Sequence, residues 1–283
     1  MESQKQFPAT FSFEFFPPKT DEGVDKLQRV RDKLAKLDPK YFSVTFGAGG
    51  STQQGTLETV IDLQNAGYSA APHISCIGTK KETISELLDT YKENGIKHLV
   101  CLRGDLPSGS GNIRGGDFNY ANELVEYVRE QYNDHFFIEV AAYPEFHPQA
   151  PNAIADLDNF KRKVQAGADS ALTQYFFNPD AYFHFIDECE KRNVNIPIVP
   201  GIMPITNYTQ LVRFSDMCGA EIPRWIKKRL EAYGDDKDSI RAFGLEVITE
   251  LCNHLLEAGA PGLHFYTLNQ ANFTMQVWKN LGL

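Results

Sequence analysis

Residues 54–76 read QGTLETVIDLQNAGYSAAPHISC. Leu57, Val60 and Ile61 lie at helical spacing and mark an amphipathic helix. Gly67 then supplies the left-handed residue that commonly ends a helix. The run 70–76 that follows is short, apolar and strand-like. The same order of helix, stop and strand recurs along the chain. Gly95, Gly167 and Gly259 each close a helical stretch shortly before such a run, and Asn193 holds the same place before 196–202. The strand-like runs are 11–16, 41–46, 70–76, 98–103, 136–142, 171–176, 196–202 and 263–268. Ile84, Leu87, Leu88 and Tyr91 form one further helical stripe. Val24, Leu27, Leu34 and Leu37 form another, behind Thr20 as N-cap with Asp21 and Glu22 in the first turn. No sequence repeat accompanies the punctuation, which excludes a solenoid. About eight βα units in this length point to a (β/α)8 TIM barrel of the α/β class, one domain over residues 1–283. An open doubly wound sheet shares the alternation, but the count of units favours closure.

Composition narrows the function classes. The 283 residues carry 28 Lys+Arg against 37 Asp+Glu, a net charge of -9, which disfavours nucleic acid or an anionic membrane as partner. With 42% hydrophobic and 23% charged residues the chain reads as soluble and globular. No apolar run approaches the roughly 20 residues a membrane helix needs. The polar N-terminal residues lack a signal core, so a cytoplasmic location is expected. The five cysteines are scattered without C-x-x-C spacing and read as buried free thiols. No H-E-x-x-H occurs, and Glu145 with His147 is a weak metal pair, so no metal is expected.

In a barrel, chemistry sits at the C-terminal ends of the strands. Polar residues cluster there: Thr45, then His73, then Arg103, Gly104 and Asp105, then Tyr143, Glu145 and His147, then Gln174, then Tyr266, Thr267 and Asn269. Glu14 lies inside the strand-like run 11–16, whose alternation puts Phe11, Phe13 and Phe15 on one face and Ser12, Glu14 and Phe16 on the other. A carboxylate pointing into a barrel loses hydration, which suits a general acid near neutral pH. A structural ion pair, with Arg103 as partner, is the other reading. The glycine-rich stretch 103–116 lacks the G-K-[ST] of a phosphate loop, and GAGGS at 47–51 lacks the full dinucleotide-binding spacing. Asp156, Asn159 and Lys163 share a helix face with Arg162 beside them, where the cations could meet a phosphate.

FSFEFFPPKT, FSVTFGAGG, APHISC, LRGDLPSGSG, VAAYPEFHP, ALTQYFFN, VPGIMPITNY and HFYTLN follow one another from Phe11 to Asn269. Taken together they resemble the bacterial-type methylenetetrahydrofolate reductases. The resemblance implies a barrel holding non-covalent FAD, which NADH or NADPH reduces. The reduced flavin then converts 5,10-methylenetetrahydrofolate to 5-methyltetrahydrofolate for methionine biosynthesis in a ping-pong cycle. Glu14 matches the general acid that protonates folate N10. Asp105 matches the aspartate that stabilises cationic folate and lies near the flavin. Gln174 matches a contact to pterin and nicotinamide, and Gln210 and Phe214 match a segment that packs against either substrate. Thr45 and Gln270 complete the expected substrate side, although many relatives carry Arg where Gln270 stands. FAD contacts are expected from Thr45, Phe46, Ala48, His73, Arg103, Gly104, Asp105, Tyr120, Ala121, Tyr143, His147, Ala150, Asp156, Asn159, Arg162 and Lys163. The family implies a homo-oligomer and, for this length, no S-adenosylmethionine-responsive domain. A cofactor-free lyase or hydrolase working through Glu14 and Asp105 would instead leave the protein colourless. A flavin or folate storage protein would be yellow but inert to nicotinamide, and would need no proton donor.

Overall fold

A computed structural model describes residues 1–46, 53–104 and 116–283. In chain order the elements are α1 (Glu2–Lys5), β1 (Thr10–Phe15), α2 (Asp21–Leu34), β2 (Tyr41–Val44), α3 (Gln53–Asn65), β3 (Ala70–Ser75), α4 (Lys81–Glu93) and β4 (His98–Leu102). They continue with α5 (Ala121–Tyr132), β5 (Phe137–Ala142), α6 (Ala153–Gln165), β6 (Ser170–Thr173), α7 (Pro179–Lys191), β7 (Ile198–Val199) and β8 (Gly201–Ile202). The last elements are α8 (Tyr208–Cys218), α9 (Arg224–Tyr233), α10 (Lys237–Ala258), β9 (Gly262–Tyr266) and α11 (Asn272–Leu281). Every strand-like run of the sequence carries a strand. Strand order in the sheet is β7-β6-β5-β4-β3-β2-β1-β9-β8. Its two ends, β7 and β8, are halves of one strand split at Pro200, whose missing N–H cannot join a ladder. The fold is the expected α/β barrel of parallel strands.

Contacts divide the chain into two compact units. One comprises residues 12–141 and 162–171. In it β1 to β5 pair in parallel, with Ser12 opposite Tyr41, Glu14 opposite Ser43, Ser43 opposite Ala71, and His73 opposite Val100. Phe13, Phe15 and Phe42 are fully buried on the helix-facing side, and Phe15 stacks on Phe42 with centroids 5.2 Å apart. The other unit comprises residues 1–11, 142–161 and 172–283. Here α10 buries Ile240, Phe243, Val247, Ile248, Leu251 and Leu255, and Trp278 of α11 meets Phe11 edge-on at 5.0 Å. The helices α8, α9 and α10 all fall between β8 and β9, a long connection that the strand count does not reveal.

The helix stops are as the sequence indicates: Gly67, Gly95, Gly167, Gly259 and Asn193 all take positive φ. Thr20 caps α2 by accepting the Gly23 N–H at 3.1 Å, and α4 buries Ile84, Leu87, Leu88 and Tyr91. Two helix faces are rotated from their expected stripes. α2 buries Leu27, Val30 and Leu34, while Val24 is exposed. α3 buries Thr56, Thr59, Val60 and Leu63, not Leu57 and Ile61. Threonine can take these buried places because its hydroxyl bonds a backbone carbonyl: Thr56 to Thr45 and Thr59 to Gly55, each at 2.8 Å.

The split strand sits in a tight knot. The Gly201 N–H donates to Thr173 Oγ1 at 2.9 Å, and the Tyr266 hydroxyl donates to the Thr173 carbonyl at 2.7 Å. A Cβ on residue 201 would lie 2.3 Å from that carbonyl and 2.7 Å from the Tyr266 ring. Gly201→Ala should therefore cost about 3 kcal/mol, read by chemical denaturation. Burial pushes Tyr41, Tyr91 and Tyr182 well above the usual phenol range. Their stabilising contribution is complete below the unfolded value of about 10 and is lost as pH rises towards the folded values. Thermal midpoints should fall above about pH 10, and part of the phenolate absorbance, that of the buried tyrosines, should appear only as the chain unfolds.

Candidate active site

Glu14 lies near the C-terminal end of β1 and is 7% exposed. Its Oε2 is 3.4 Å from Nε2 of His73 on β3. Strand register brings the two side chains together. Glu14 and Ser43 are paired, Ser43 pairs with Ala71, and residue 73 shares a face with 71. The small Ser43 between them lets the longer side chains meet.

Around this pair several backbone positions are closely determined. The Thr45 N–H donates to Phe15 O at 3.0 Å, and the Thr45 carbonyl accepts from Thr56. The buried hydroxyls of Thr45 and Ser43 find no hydrogen-bond partner among the described residues. Phe46 is half-buried. The Arg103 Nε–H donates to the Gly104 carbonyl at 3.2 Å. Gly104 has φ +85°, and a Cβ there would stand 2.9 Å from that of Ser75. The Cys76 thiol reaches the carbonyls of Arg103 at 3.9 Å and Tyr120 at 3.6 Å, which ties the end of β4 to the start of α5 at Ala121. Burial pushes that thiol up to about 12, so it stays a protonated donor. Tyr120 is exposed. Arg162 is exposed on α6, and Lys163 Nζ donates to the Ala141 carbonyl at 2.5 Å. Asp105 and Ala48 lie outside the described residues.

The same unit holds a second buried carboxylate that the sequence reading passed over. Glu139 on β5 is 1% exposed, accepts from the Tyr41 hydroxyl at 2.5 Å, and lies 3.2 Å from His98 Nε2. Tyr41 and His98 are the first residues of β2 and β4, so this cluster occupies the N-terminal strand ends, where stability and not chemistry is the usual role. A charged residue within a strand-like run was the available signal, as it was for Glu14.

In the other unit, the Tyr143 and His147 rings meet edge-on at 4.6 Å. The His147 N–H donates to Asp156 Oδ2 at 2.9 Å, His147 Nδ1 accepts from the Gln149 N–H, and the His147 carbonyl accepts from Ala150. Asp156 thus fastens this loop to the first turn of α6, with Asn159 exposed further along. The Gln174 N–H donates to Ala142 O at 2.7 Å, and its Oε1 accepts from the Tyr175 N–H at 3.1 Å. Gln174 lines a small pocket with Tyr143, Glu145, Tyr175 and Cys218. Glu145 accepts the Glu221 N–H at 2.8 Å, and burial pushes its carboxyl above the usual range against that bond. Asn207 caps α8 through the Gln210 N–H at 2.8 Å. Arg213 stacks its guanidinium over the Phe214 ring at 5.4 Å. Gln270 is exposed, next to a turn where Leu268 and Asn269 both take positive φ.

Residues 2–282 match the family model for methylenetetrahydrofolate reductase. The chain belongs to the methylenetetrahydrofolate reductase family. It is 39% identical over 273 residues to the 5,10-methylenetetrahydrofolate reductase of Escherichia coli K12, covering 96% of this chain and 90% of that one. It is 40% identical over 285 residues to a probable methylenetetrahydrofolate reductase (NADH) of Oryza sativa, covering 96% of this chain and 48% of that one. The chain thus spans about half the length of the plant relatives it matches. An uncharacterized Clostridium thermocellum protein that binds two copies of 5-methyl-5,6,7,8-tetrahydrofolic acid has the same fold, with TM-score 0.68 at 14% identity over 100% of this chain and 98% of that one. A thermostable aldo-keto reductase follows at TM-score 0.55 and 10% identity, over 96% of this chain and 89% of that one. Among the described residues no helix is long and apolar enough to cross a membrane.

A buried hydroxyl without a partner costs about 1–3 kcal/mol. Thr45→Val should therefore leave the protein as stable or more so, read by chemical denaturation.

Proposed function

We propose that the chain is an FAD-dependent reductase that converts 5,10-methylenetetrahydrofolate to 5-methyltetrahydrofolate, with NADH or NADPH as electron donor in a ping-pong cycle. The observation that carries this reading is Glu14, a carboxyl withdrawn from water at a strand end and paired with an imidazole. Membership of the family supports the reaction, the plant relatives' names support NADH, and the Clostridium protein's ligand is the proposed product. The product would feed methionine synthesis. We further propose that residues 1–283 act as one catalytic unit, in the cytoplasm, as a homo-oligomer.

Glu14 delivers a proton to folate N10, which opens the five-membered ring to an iminium. His73 holds the carboxyl in orientation and gives it a second titratable group through which to regain a proton. Asp105 opposes the positive charge that develops on the folate. Gln174, Gln210, Phe214, Gln270 and Thr45 orient the pterin, the three glutamines through amide hydrogen bonds and Phe214 through its ring.

The residues present fit a flavin. The hydroxyl of Thr45 is buried with an unused bond among the described residues, and the backbone at Gly104 leaves no room for a side chain. Phe46, Ala48, His73, Tyr120 and Ala121 are assigned to the same cofactor, together with Tyr143, His147, Ala150, Asp156 and Asn159. Arg103, Arg162 and Lys163 supply positive charge for its pyrophosphate. FAD, when bound, carries reducing equivalents from the nicotinamide to the folate.

Glu14→Gln tests the assignment. The variant should keep FAD and still be bleached by NADH under anaerobic conditions. Its reduction of methylenetetrahydrofolate should fall by about 10² or more. Loss of both half-reactions would make Glu14 structural and overturn the assignment.

A further inference from the structure

Glu145 has no part in that mechanism, yet it sits where two segments of the substrate side meet. It follows Tyr143 in the loop after β5, and its carboxylate accepts the N–H of Glu221, three residues beyond the end of α8. α8 carries Gln210 and Phe214. The same loop and the same helix end meet again at Gly219, where a Cβ would stand 3.3 Å from that of Pro148. Glu145 also lines the small pocket that holds Gln174 and Tyr143. On the other wall, the Tyr175 hydroxyl, 3.1 Å from Ser215 Oγ, holds the middle of α8 to the residue after Gln174.

The backbone beside Glu145 is strained. Phe146 takes φ +74°, a left-handed conformation that a bulky residue adopts only when its surroundings impose it. Its ring is more than half exposed, so packing of that ring does not impose it. Bonds on either side do. Glu145 is held by Glu221, and His147 by Asp156. The strain therefore marks a loop fixed at both ends, one end on the cofactor helix α6 and the other on the substrate helix α8.

We propose that Glu145 is a positioning residue: its carboxylate latches the β5 loop to the segment after α8 and so sets where Gln174, Gln210 and Phe214 stand. The inference rests on the reading of those three residues as substrate contacts. Glu145 itself touches neither the reacting atoms nor the proton path. Its effect is on substrate binding, because the helix it fastens carries the groups that close on folate or nicotinamide.

Glu145→Ala and Glu145→Gln in the FAD-loaded full chain test it. The alanine variant should raise the KM for methylenetetrahydrofolate and for NADH about tenfold, the loss expected of one hydrogen bond to a charged acceptor. Its kcat should stay within about twofold, since Glu145 touches none of the reacting atoms. The glutamine variant keeps an acceptor oxygen for the Glu221 N–H and should recover most of the affinity. Amide exchange over residues 208–221 should quicken in the alanine variant and return towards the parent in the glutamine variant. Unchanged exchange in the alanine variant, or kcat falling with no change in KM, would overturn the latch. If the parent protein reduces no folate but exchange quickens as described, the latch stands and the proposed reaction falls.

Discussion

The sheet depends on one contact, where the split strand meets its neighbours on both sides. Pro200 offers no N–H, yet its carbonyl still accepts from His264 on β9 at 2.9 Å. Gly201, directly after it, turns its N–H to the Thr173 side chain on β6, and Tyr266 of β9 closes over the same threonine. One hydroxyl and one carbonyl of Thr173 thus satisfy donors from two strands. The stretch thus keeps contact with both neighbours although the proline breaks its ladder. With closure secured, the C-terminal strand ends become the natural place for polar side chains that a flat sheet would leave scattered along an edge.

Two buried glutamates show how position within a strand decides what a carboxylate is for. Glu14 and Glu139 are both almost wholly withdrawn from water, and each lies beside a histidine. Glu139 also receives the Tyr41 hydroxyl, which ties β5 to β2 at the strand starts. Glu14 sits near a strand end, among hydroxyls whose hydrogen-bonding capacity the described protein leaves unused. Hydroxyls with unused capacity at a strand end read as a site that a ligand completes.

The site's remaining parts are supported by backbone geometry more than by charge. Gly104 admits close approach, Cys76 holds two carbonyls, and Asp156 pins the loop at His147. These supports lie in loops and strand ends anchored on rigid elements, as a pre-organised site requires.

Element type and order were legible in the sequence, because periodicity and helix stops are local properties of the chain. The five left-handed stops and the eight strand runs needed no knowledge of distant residues. Glu14 could be singled out for the same reason: a charge in an apolar run is visible without a partner. What only the tertiary structure decided depends on residues far apart in sequence. Glu14 comes to lie beside His73, because strand register sets which side chains share a face. α3 turns threonines inward, because carbonyls at Thr45 and Gly55 are there to receive them. Glu139 and Glu145 acquire opposite meanings, because one lies among strand starts and the other against the end of a helix that follows it by more than 60 residues. The sequence by itself determined the parts and their polarity, and the register and closure of the sheet determined which of them meet.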